Sequence, residues 1–276
     1  MSAETVEPLP ATVRRDRILA AISERGFVRV TDLADSFGVS GVTARADLDA
    51  LVEAGAVRRV HGGAVPATTG ATKPHREPSF EEALAASVVP KQRIGELAAS
   101  LVTSGQSVIL DVGTTTLAVA RALKARRDLA DLVVVTNGLS IALELESAIP
   151  RFTVIVTGGA LRPLQHSLVD PLADAVLGRV HADIAFIGCN GVDMVGGITN
   201  VNLPEAAVKE RMLHAAERAV VVADSSKLGR IHLGRVAPLA DVDTLVTDAE
   251  APGAVIDELR SAGIEILTTP IESLDS

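Results

Sequence analysis

Short apolar segments rich in β-branched residues alternate with helical stretches from Lys91 onward, and this alternation constrains the fold more than any other feature. The apolar segments lie at 107–111, 132–136, 152–157, 183–188, 219–224, 243–248 and 264–268. Helical spacing marks the stretches near 91–102, 115–125, 139–148, 204–217 and 253–262. Strands that alternate with helices favour an α/β fold with a mostly parallel, doubly wound sheet. Aromatic residues make up only 2% of the chain, so Ala, Val, Leu and Ile must build the core.

The N-terminal region follows a different pattern, with three short helices and then an alternating segment. The helices are predicted over 14–24, from a cap at Thr31 to Gly38, and from a cap at Ser40 to Gly55. Ala44, Leu48 and Leu51 share one side of the third helix and should face the core. The following AVRRVHGGAV alternates and turns at Gly62–Gly63, which predicts a β-hairpin. Residues 12–65 are therefore predicted to form a winged helix-turn-helix, whose third helix enters the major groove of double-stranded DNA.

Six side chains of this region are candidates for contacting DNA. They are Ser40, Thr43 and Arg45 on the third helix, and Arg58, Arg59 and His61 on the hairpin. Hydroxyl groups near a helix N-terminus can donate to phosphates, and the basic side chains can reach base edges, the backbone or the minor groove. The formal net charge of −9 does not exclude DNA binding, because affinity depends on a local basic face.

Residues 66–89 contain three prolines with threonine and glycine between them, which is typical of a linker. We therefore expect a linker over 66–89 and a second domain over 90–270.

Cys189 is the single cysteine, which excludes an internal disulfide and fits a reducing cytoplasm. No signal peptide or apolar run of membrane-spanning length is visible, so a soluble cytoplasmic protein without membrane contact is expected. The histidines show no metal-ligand spacing, so no metal site is expected.

The segment DVGTTT, Asp111 to Thr116, follows the first predicted strand and precedes a helix. Gly113 permits close backbone approach, while Thr114, Thr115 and the helix N-terminus can bind an anion. The segment is neither G-x-G-x-x-G nor a Walker A motif, so no dinucleotide or ATP cofactor is expected. Small and polar residues also follow four other strands, at 136–138, 157–159, 188–193 and 223–227. Any one could be a simple turn, but together they predict a ligand site, because such strand ends converge on one crevice.

Glu205 and Lys209 are four residues apart on a predicted helix, and so would lie side by side. An isolated pair of this kind is usually a surface ion pair. Its place after the glycine-rich segment MVGGITN favours the ligand site instead. Cys189 has no activating base in its sequence context, which favours a small buried residue over a nucleophile.

The N-terminal region resembles the winged helix of the DeoR family of bacterial regulators. It matches that family's pattern at Val39, Ser40, Thr43, Arg45, Asp47, Leu48, Leu51, Gly55, Arg59, His61, Gly62 and Gly63. It departs at Ala44, usually Ile, and at Ala46, usually a second Arg. The smaller Ala44 should loosen packing, and Ala46 removes a contact to DNA. The family's fold is therefore expected to apply to this chain more closely than the family's operator sequence does.

Residues 90–250 also resemble the sensor domain of this family, through D-x-G-T-T, G-x-D-x-x-x-G-[IL]-T, E-x-x-x-K and A-D-x-S-K. A further departure is Asp170, where the family commonly has Gly. The resemblance implies a fold similar to ribose-5-phosphate isomerase, and a repressor that phosphorylated sugars release from operator DNA. It implies that Thr114, Thr115 and Lys227, with Lys91, bind phosphate. It also implies that Asp193, Glu205 and Lys209 line the sugar end, and that Asp111, Asn137, Gly158 and Gly159 shape the pocket.

Two alternatives remain beside this interpretation. An isomerase would need an acid/base carboxylate, which Glu205 could supply, and a lysine in the glycine-rich loop. The segment MVGGITN has no lysine, so binding without turnover is favoured. The second domain could also be a ligand-free oligomerisation scaffold, although the polar strand ends argue against it. The expected repressor is a homo-oligomer, at least a dimer, because two recognition helices that read repeated half-sites multiply affinity and specificity.

Overall fold

The computed structural model describes residues 10–25, 28–53, 56–60, 63–66, 77–170 and 172–270. Of residues 12, 23–25, 35, 58, 60, 65 and 66 it describes the backbone but not the side chain. The chain divides into two compact units, Met1–Arg76 and Glu77–Ser276. No helix among these residues is long and apolar enough to cross a bilayer.

The first unit packs three helices against a small antiparallel sheet. The helices are α1 (Ala11–Arg25), α2 (Val30–Phe37) and α3 (Gly41–Glu53), and the strands are β1 (Val28–Arg29), β2 (Val57–Val60) and β3 (Gly63–Pro66). The strand order is β1-β3-β2, and Val60 pairs with Gly63 where the hairpin turns. Ala44, Leu48 and Leu51 face the core, as the helical spacing predicts. The turn residues 61 and 62 lie outside the described residues.

The helix boundaries follow local backbone chemistry. Ser40 Oγ accepts a hydrogen bond of 3.1 Å from the Thr43 amide, which confirms the predicted cap of α3. Gly38 ends α2 with a φ of +61°. The predicted cap at Thr31 is wrong. The N-cap residue is Arg29, and α2 begins at Val30. Val30 is buried in the core of the unit, so apolar packing sets the start of the helix rather than a side-chain cap.

Asp47 joins α1 to α3 from inside the unit. Its carboxylate accepts hydrogen bonds from Arg14 Nε at 2.6 Å and from Arg15 Nε at 3.0 Å, and the residue is only 2% exposed. Burial alone would raise the pKa of Asp47, but these two arginines outweigh it and hold the pKa below its ordinary value. The charge of Asp47 is therefore part of the packing between α1 and α3.

The second unit is built on a seven-stranded parallel sheet. The strands are β4 (Ser107–Leu110), β5 (Leu132–Thr136), β6 (Phe152–Val156), β9 (Ala182–Gly188), β12 (Ala216–Val222), β14 (Thr244–Thr247) and β15 (Glu265–Thr268). Their spatial order is β15-β14-β12-β9-β4-β5-β6, so the chain winds outward from β4 in one direction and from β9 in the other. The predicted doubly wound α/β fold is confirmed, and its switch point lies between β4 and β9.

Helices cover both faces of this sheet. They are α4 (Phe80–Ala85), α5 (Val88–Ala99), α6 (Thr114–Ala125), α7 (Leu139–Glu146), α8 (Leu172–Leu177), α9 (Leu203–His214) and α10 (Gly253–Ser261). Val108 and Leu110 of β4 belong to the apolar cluster that contains α5 to α7. Ile109, between them, belongs to the cluster that contains α8 to α10. This alternation follows from the two-residue period of a strand, whose successive side chains point to opposite faces of the sheet.

Several short elements differ from the sequence-based expectations. The hairpin β7 (Ala160–Arg162) and β8 (Ser167–Val169), and the antiparallel sheet of β10 (Gly191–Asp193), β11 (Gly197–Asn200) and β13 (Gly234–Ala237), were not predicted. Their strands have three or four residues, too few for a clear apolar period. The helix expected over 204–217 ends at His214, and β12 follows from Ala216.

The predicted linker is also too long at its C-terminal end. The second unit begins at Glu77, and α4 lies inside the range 66–89. Ser79 and Glu82 form a capping box at the start of α4, and Phe80 is buried. The capping box and the burial of Phe80 stabilise a helix in a range whose composition is typical of a linker.

We expect Asp47→Asn to lower the melting temperature of the first unit by about 4–8 °C, the shift that a loss of roughly 1 kcal/mol causes in a small domain. The amide keeps the shape of the side chain but cannot accept charge-assisted bonds from both arginines. Asp49→Asn is the matched control on the same helix, because the Asp49 carboxylate is exposed and pairs with Arg59. It should lower the melting temperature by less than about 2 °C.

The difference in melting temperature between wild type and Asp47→Asn should depend on pH. Because the pKa of Asp47 is lowered by folding, its stabilisation is present above the ordinary carboxyl pKa of about 4 and is lost as the pH falls through the lowered value. Calorimetry of both proteins at neutral and acidic pH measures it. A gap between wild type and Asp47→Asn that persists in strong acid would contradict the role of the charge.

Candidate functional site

A cavity of about 210 Å³ lies at the carboxyl ends of β4 and β9, the switch point of the sheet. Four segments of the second unit contribute most of its wall: 77–91, 112–115, 188–190 and 224–227. Seven predicted site residues line it, namely Lys91, Gly113, Thr114, Thr115, Glu205, Lys209 and Lys227. Cys189, Asn190 and Asn200 line it as well. The fold thus brings together most of the residues that were predicted to bind a ligand.

The N-terminus of α6 faces this cavity. The helix begins at Thr114, and Gly113 and Thr115 are half-buried beside it. The first amides of a helix have no acceptor within the helix, because no residue precedes them at the required spacing. Free N–H groups and the positive end of the dipole make this position suitable for an anion.

Two lysines approach from the other walls. Lys91 is 7% exposed, and its Nζ donates to the carbonyl oxygens of Ala83 at 2.6 Å and Ala86 at 2.7 Å. Burial lowers the pKa of Lys91, and the nearby charge of Lys227 adds to this effect while Asp224 opposes it. Lys227 ends a short 3-10 turn after β12 and is half-buried. The cavity therefore has positive charge at two of its walls.

Asp111 and Lys209 form a buried ion pair beneath the cavity. Lys209 Nζ contacts Asp111 Oδ2 and lies 3.3 Å from the carbonyl oxygen of Val112. The amide of Gly188, at the end of β9, donates to the same Oδ2 at 3.1 Å. Burial raises the pKa of Asp111 to about 6, although the charge of Lys209 opposes the shift. The pair fixes the ends of β4 and β9 against α9.

Glu205 does not pair with Lys209, contrary to the expectation from their helical spacing. Its Oε1 contacts Arg162 and accepts a hydrogen bond of 2.6 Å from the Ser167 hydroxyl. Its Oε2 lies 3.4 Å from Nδ2 of Asn200. Arg162 was missed at the sequence level, because nothing in the local pattern around it indicates a partner 43 residues away. Glu205 is thus held by three side chains from three different strands or loops.

The remaining predicted residues lie outside the lining of the cavity. Asn137 is buried, and it accepts from the Val112 amide at 2.8 Å, so it positions the loop after β4. Gly158 and Gly159 turn the chain between β6 and β7; a Cβ on Gly159 would lie 2.4 Å from the Val169 carbonyl oxygen. Asp193 closes the β10–β11 turn by accepting from two amides. Their roles in ligand binding stay predictions.

Cys189 is half-buried at the end of β9, where it lines the cavity. Burial raises the pKa of its thiol to about 12, which keeps it protonated near neutral pH. Among the described residues there is also no group of three or more His, Cys, Asp or Glu side chains that could hold a metal ion.

In the first unit, α3 presents a polar surface at its N-terminal half. Ser40, Arg45 and Ala46 are exposed, and Thr43 is half-buried. Arg59 on the hairpin donates to Asp49 at 2.7 Å and to the Arg45 carbonyl at 3.0 Å, so its charge is partly balanced. His61 and the side chain of Arg58 lie outside the described part of the chain. DNA contacts by these six residues stay predictions.

Both units match known families. Residues 14–69 match the family described as DeoR-like helix-turn-helix domain, and residues 87–249 match the DeoR C terminal sensor domain. Among curated relatives, the HTH-type transcriptional regulator GlpR of Haloferax volcanii is 36% identical over 94% of this chain and 98% of that protein. The HTH-type transcriptional repressor CsqR of Escherichia coli K12 is 30% identical, over 94% and 96%. The glycerol-3-phosphate regulon repressor of the same strain is 28% identical, over 92% and 98%.

Solved structures give weaker likenesses. Ribose 5-phosphate isomerase A of Methanocaldococcus jannaschii is 18% identical, over 50% of this chain and 53% of that chain, with a TM-score of 0.37. The eIF2B delta subunit of Chaetomium thermophilum is 12% identical, over 80% and 67%, with a TM-score of 0.41. Scores this low carry no conclusion about function.

Lys209→Met should lower the free energy of unfolding of the second unit by about 3 kcal/mol, because it leaves the Asp111 charge buried without its cation. Methionine keeps most of the apolar stem, so the change tests the charge. The matched control is Lys124→Met, which removes a half-buried amine from Glu144 but leaves that carboxylate paired with Arg121, and it should cost less than about 1 kcal/mol. Urea unfolding measures both, and equal stabilities for the two variants would show that the pair does not support the strand ends.

Proposed function

The chain belongs to the DeoR family of transcriptional regulators, and from this membership we propose that it is a repressor controlled by a phosphorylated sugar. In this proposal α3 binds double-stranded operator DNA, and the ligand occupies the cavity at the ends of β4 and β9. The observation that carries the ligand half is the meeting of the α6 N-terminus with Lys91 and Lys227 in one cavity.

The phosphate is proposed to lie at the first turn of α6. Thr114 and Thr115 offer amides and hydroxyls there, and Lys227 supplies a cation from another segment of the lining. Lys91 already donates to two carbonyl oxygens, so it contributes mainly through its charge. An unphosphorylated sugar would leave these groups without an anion, which gives the site its preference for the phosphorylated form.

The sugar end is proposed to lie toward α9. Oε2 of Glu205 has a hydrogen bond of only 3.4 Å and can accept from a ligand hydroxyl, with Asn190 and Asn200 on the same wall. Lys209 is held by Asp111 and shapes this wall from beneath. Asn137, Gly158, Gly159 and Asp193 act indirectly in this proposal, by setting the loops around the cavity. The name of the glycerol-3-phosphate regulon repressor supports a phosphorylated polyol or sugar as the ligand class.

Binding without turnover is proposed. Oε1 of Glu205 already contacts Arg162 and accepts from Ser167, so this oxygen is not free to approach a substrate carbon as an isomerase base must. The turn between β10 and β11 contains Met194, Val195 and Gly196, so no lysine stands there to stabilise a developing enediolate. The curated relatives are regulators, which supports the same conclusion.

The DNA half follows from the exposed start of α3. Ser40 and Thr43 are proposed to bind phosphates, and Arg45 a base edge or phosphate, with Arg58, Arg59 and His61 on the flanking backbone. We propose at least a dimer, because two copies of α3 reading repeated half-sites multiply affinity. Ligand binding must then favour a conformation with lower affinity for DNA, since a ligand shifts an equilibrium only by its differential affinity.

The ligand half is tested by melting the protein with glycerol 3-phosphate, ribose 5-phosphate, fructose 6-phosphate and glucose 6-phosphate, each beside its unphosphorylated counterpart. A binder at about 100 times its Kd adds roughly 2.7 kcal/mol to stability, and so raises the melting temperature by several degrees. Lys227→Ala should reduce this shift, and Lys124→Ala, outside the cavity, should not. Equal shifts for the free sugars would contradict the phosphate assignment, and conversion of the sugar phosphate during incubation would contradict binding without turnover.

The DNA half is tested with a DNA fragment selected by the wild-type protein from a random-sequence library. Arg45→Ala should weaken binding by about 10-fold or more, the effect of roughly 1–3 kcal/mol for a base contact, while the ligand-induced melting shift stays intact. Arg17→Ala removes the same charge from the exposed face of α1 and serves as the control. Fluorescence anisotropy at two salt concentrations separates base contacts from general electrostatics. Equal losses for the two variants would contradict the assignment of α3 as the reading helix.

A further inference from the structure

The segment that enters the second unit from the first forms one wall of the cavity. Glu77 is the first residue of this unit, and it lines the cavity together with Pro78, Ser87 and Lys91. The Phe80 amide donates to the Leu164 carbonyl oxygen at 2.8 Å, which attaches the start of α4 to the turn between β7 and β8. An occupant of the cavity would therefore contact the same stretch of chain that leads back to the winged helix.

Arg162 connects this entering segment to Glu205. Its Nη2 donates to Glu77 Oε2 at 2.7 Å, while its Nη1 contacts Glu205 Oε1. The side chains are largely buried, with exposed fractions of 19% for Arg162, 13% for Glu77 and 5% for Glu205. One guanidinium thus serves two carboxylates at the edge of the cavity.

The two carboxylates are not held equally. Glu205 also accepts from Ser167 and lies near Asn200, whereas both oxygens of Glu77 rely on the one Arg162 guanidinium, at 2.7 Å from Nη2 and 3.5 Å from Nη1. An anion in the cavity repels both carboxylates, and the repulsion is stronger here than in water because the groups are poorly solvated. The less firmly held Glu77 is the one that a bound anion would displace.

We propose that Arg162 and Glu77 couple occupancy of the cavity to the segment leading to the winged helix, an inference that rests on the proposed function. Without ligand, Arg162 holds Glu77 and fixes the start of the unit. A phosphorylated ligand displaces Glu77, while Glu205 keeps Arg162 in place. The entering segment then changes its position, and the affinity for DNA falls. Arg162 is a positioning residue in this mechanism, since it acts through Glu77.

The test measures DNA affinity by anisotropy for the full chain, with the selected DNA fragment, in the absence and presence of the four sugar phosphates named above. Inorganic phosphate is the comparator. Each variant is saturated with ligand at the concentration that its own melting-temperature titration gives. Differences in ligand affinity between variants then do not affect the comparison of DNA affinities. For wild type we expect the active probe to weaken DNA binding about 10-fold, within the usual range of allosteric coupling.

Glu77→Gln should reduce this response to less than about threefold, because the amide is not repelled by the bound anion. Glu265→Gln is the matched control, since Glu265 pairs with Arg218 at the far edge of the sheet and should respond like wild type. Glu77→Asp keeps the charge on a shorter side chain, and should restore more of the response than Glu77→Gln does. That order distinguishes coupling by charge from a general loss of packing.

The outcomes separate this inference from the proposed function. If no probe raises the melting temperature or weakens DNA binding of the wild type, the proposed ligand function is wrong and the coupling is wrong with it. If a probe acts on the wild type and Glu77→Gln responds as strongly as Glu265→Gln, only the coupling is wrong. A response lost in Glu77→Gln and kept in Glu265→Gln supports it.

Discussion

The buried pair between Asp111 and Lys209 is the interaction on which the arrangement of the cavity depends. A carboxylate with no exposed surface is costly, and its pKa of about 6 shows that burial outweighs the attraction of the lysine. The pair is kept at the one place where β4, β9 and α9 meet, and the Gly188 amide shares the same carboxylate oxygen. The pairing of β4 with β9 ends at Leu110 and Phe186, and the chain then leads away from the two strands in opposite directions along the sheet. The ion pair supplies the connection that the sheet does not.

Helix α9 extends this connection to the other end of the cavity. Lys209 points to the strand ends, and Glu205, one turn earlier, contacts Arg162 on β7. The two residues therefore serve separate anchors, although their spacing is that of a surface ion pair. A ligand between them would lie beside Lys209, which Asp111 holds, and beside Glu205, whose partner Arg162 also donates to Glu77. In the proposed coupling Lys209 stays fixed while Glu77 moves, because only a part with two arrangements can report binding.

The sequence predicted the parts of this fold that are local and missed the parts that depend on distant contacts. All seven parallel strands were found, since buried parallel strands are continuous apolar runs. The cap of α3 at Ser40 was found because its hydrogen bond joins residues only three positions apart. The start of α2 was missed because the burial of Val30 sets it. Arg162 and Glu77 could not be found, because their partners are fixed only by the folded chain. Seven of the twelve predicted ligand residues line the cavity, and Asp111 and Asn137 lie behind it.

The departures from the family pattern on α3 have different physical weight. Ala44 is fully buried in the core of the first unit, where a smaller side chain changes packing but not the surface that is proposed to face DNA. Ala46 is exposed beside Arg45, so a charge is absent from the surface itself. Asp47, the next residue, is turned inward and is neutralised by Arg14 and Arg15. With Arg59 partly balanced by Asp49, Arg45 carries more of the positive potential of α3 than it would beside a second arginine. In the proposed complex, phosphate contacts by amides and hydroxyls would contribute a larger share of the affinity, which predicts a shallower dependence on salt than an Arg–Arg helix would show.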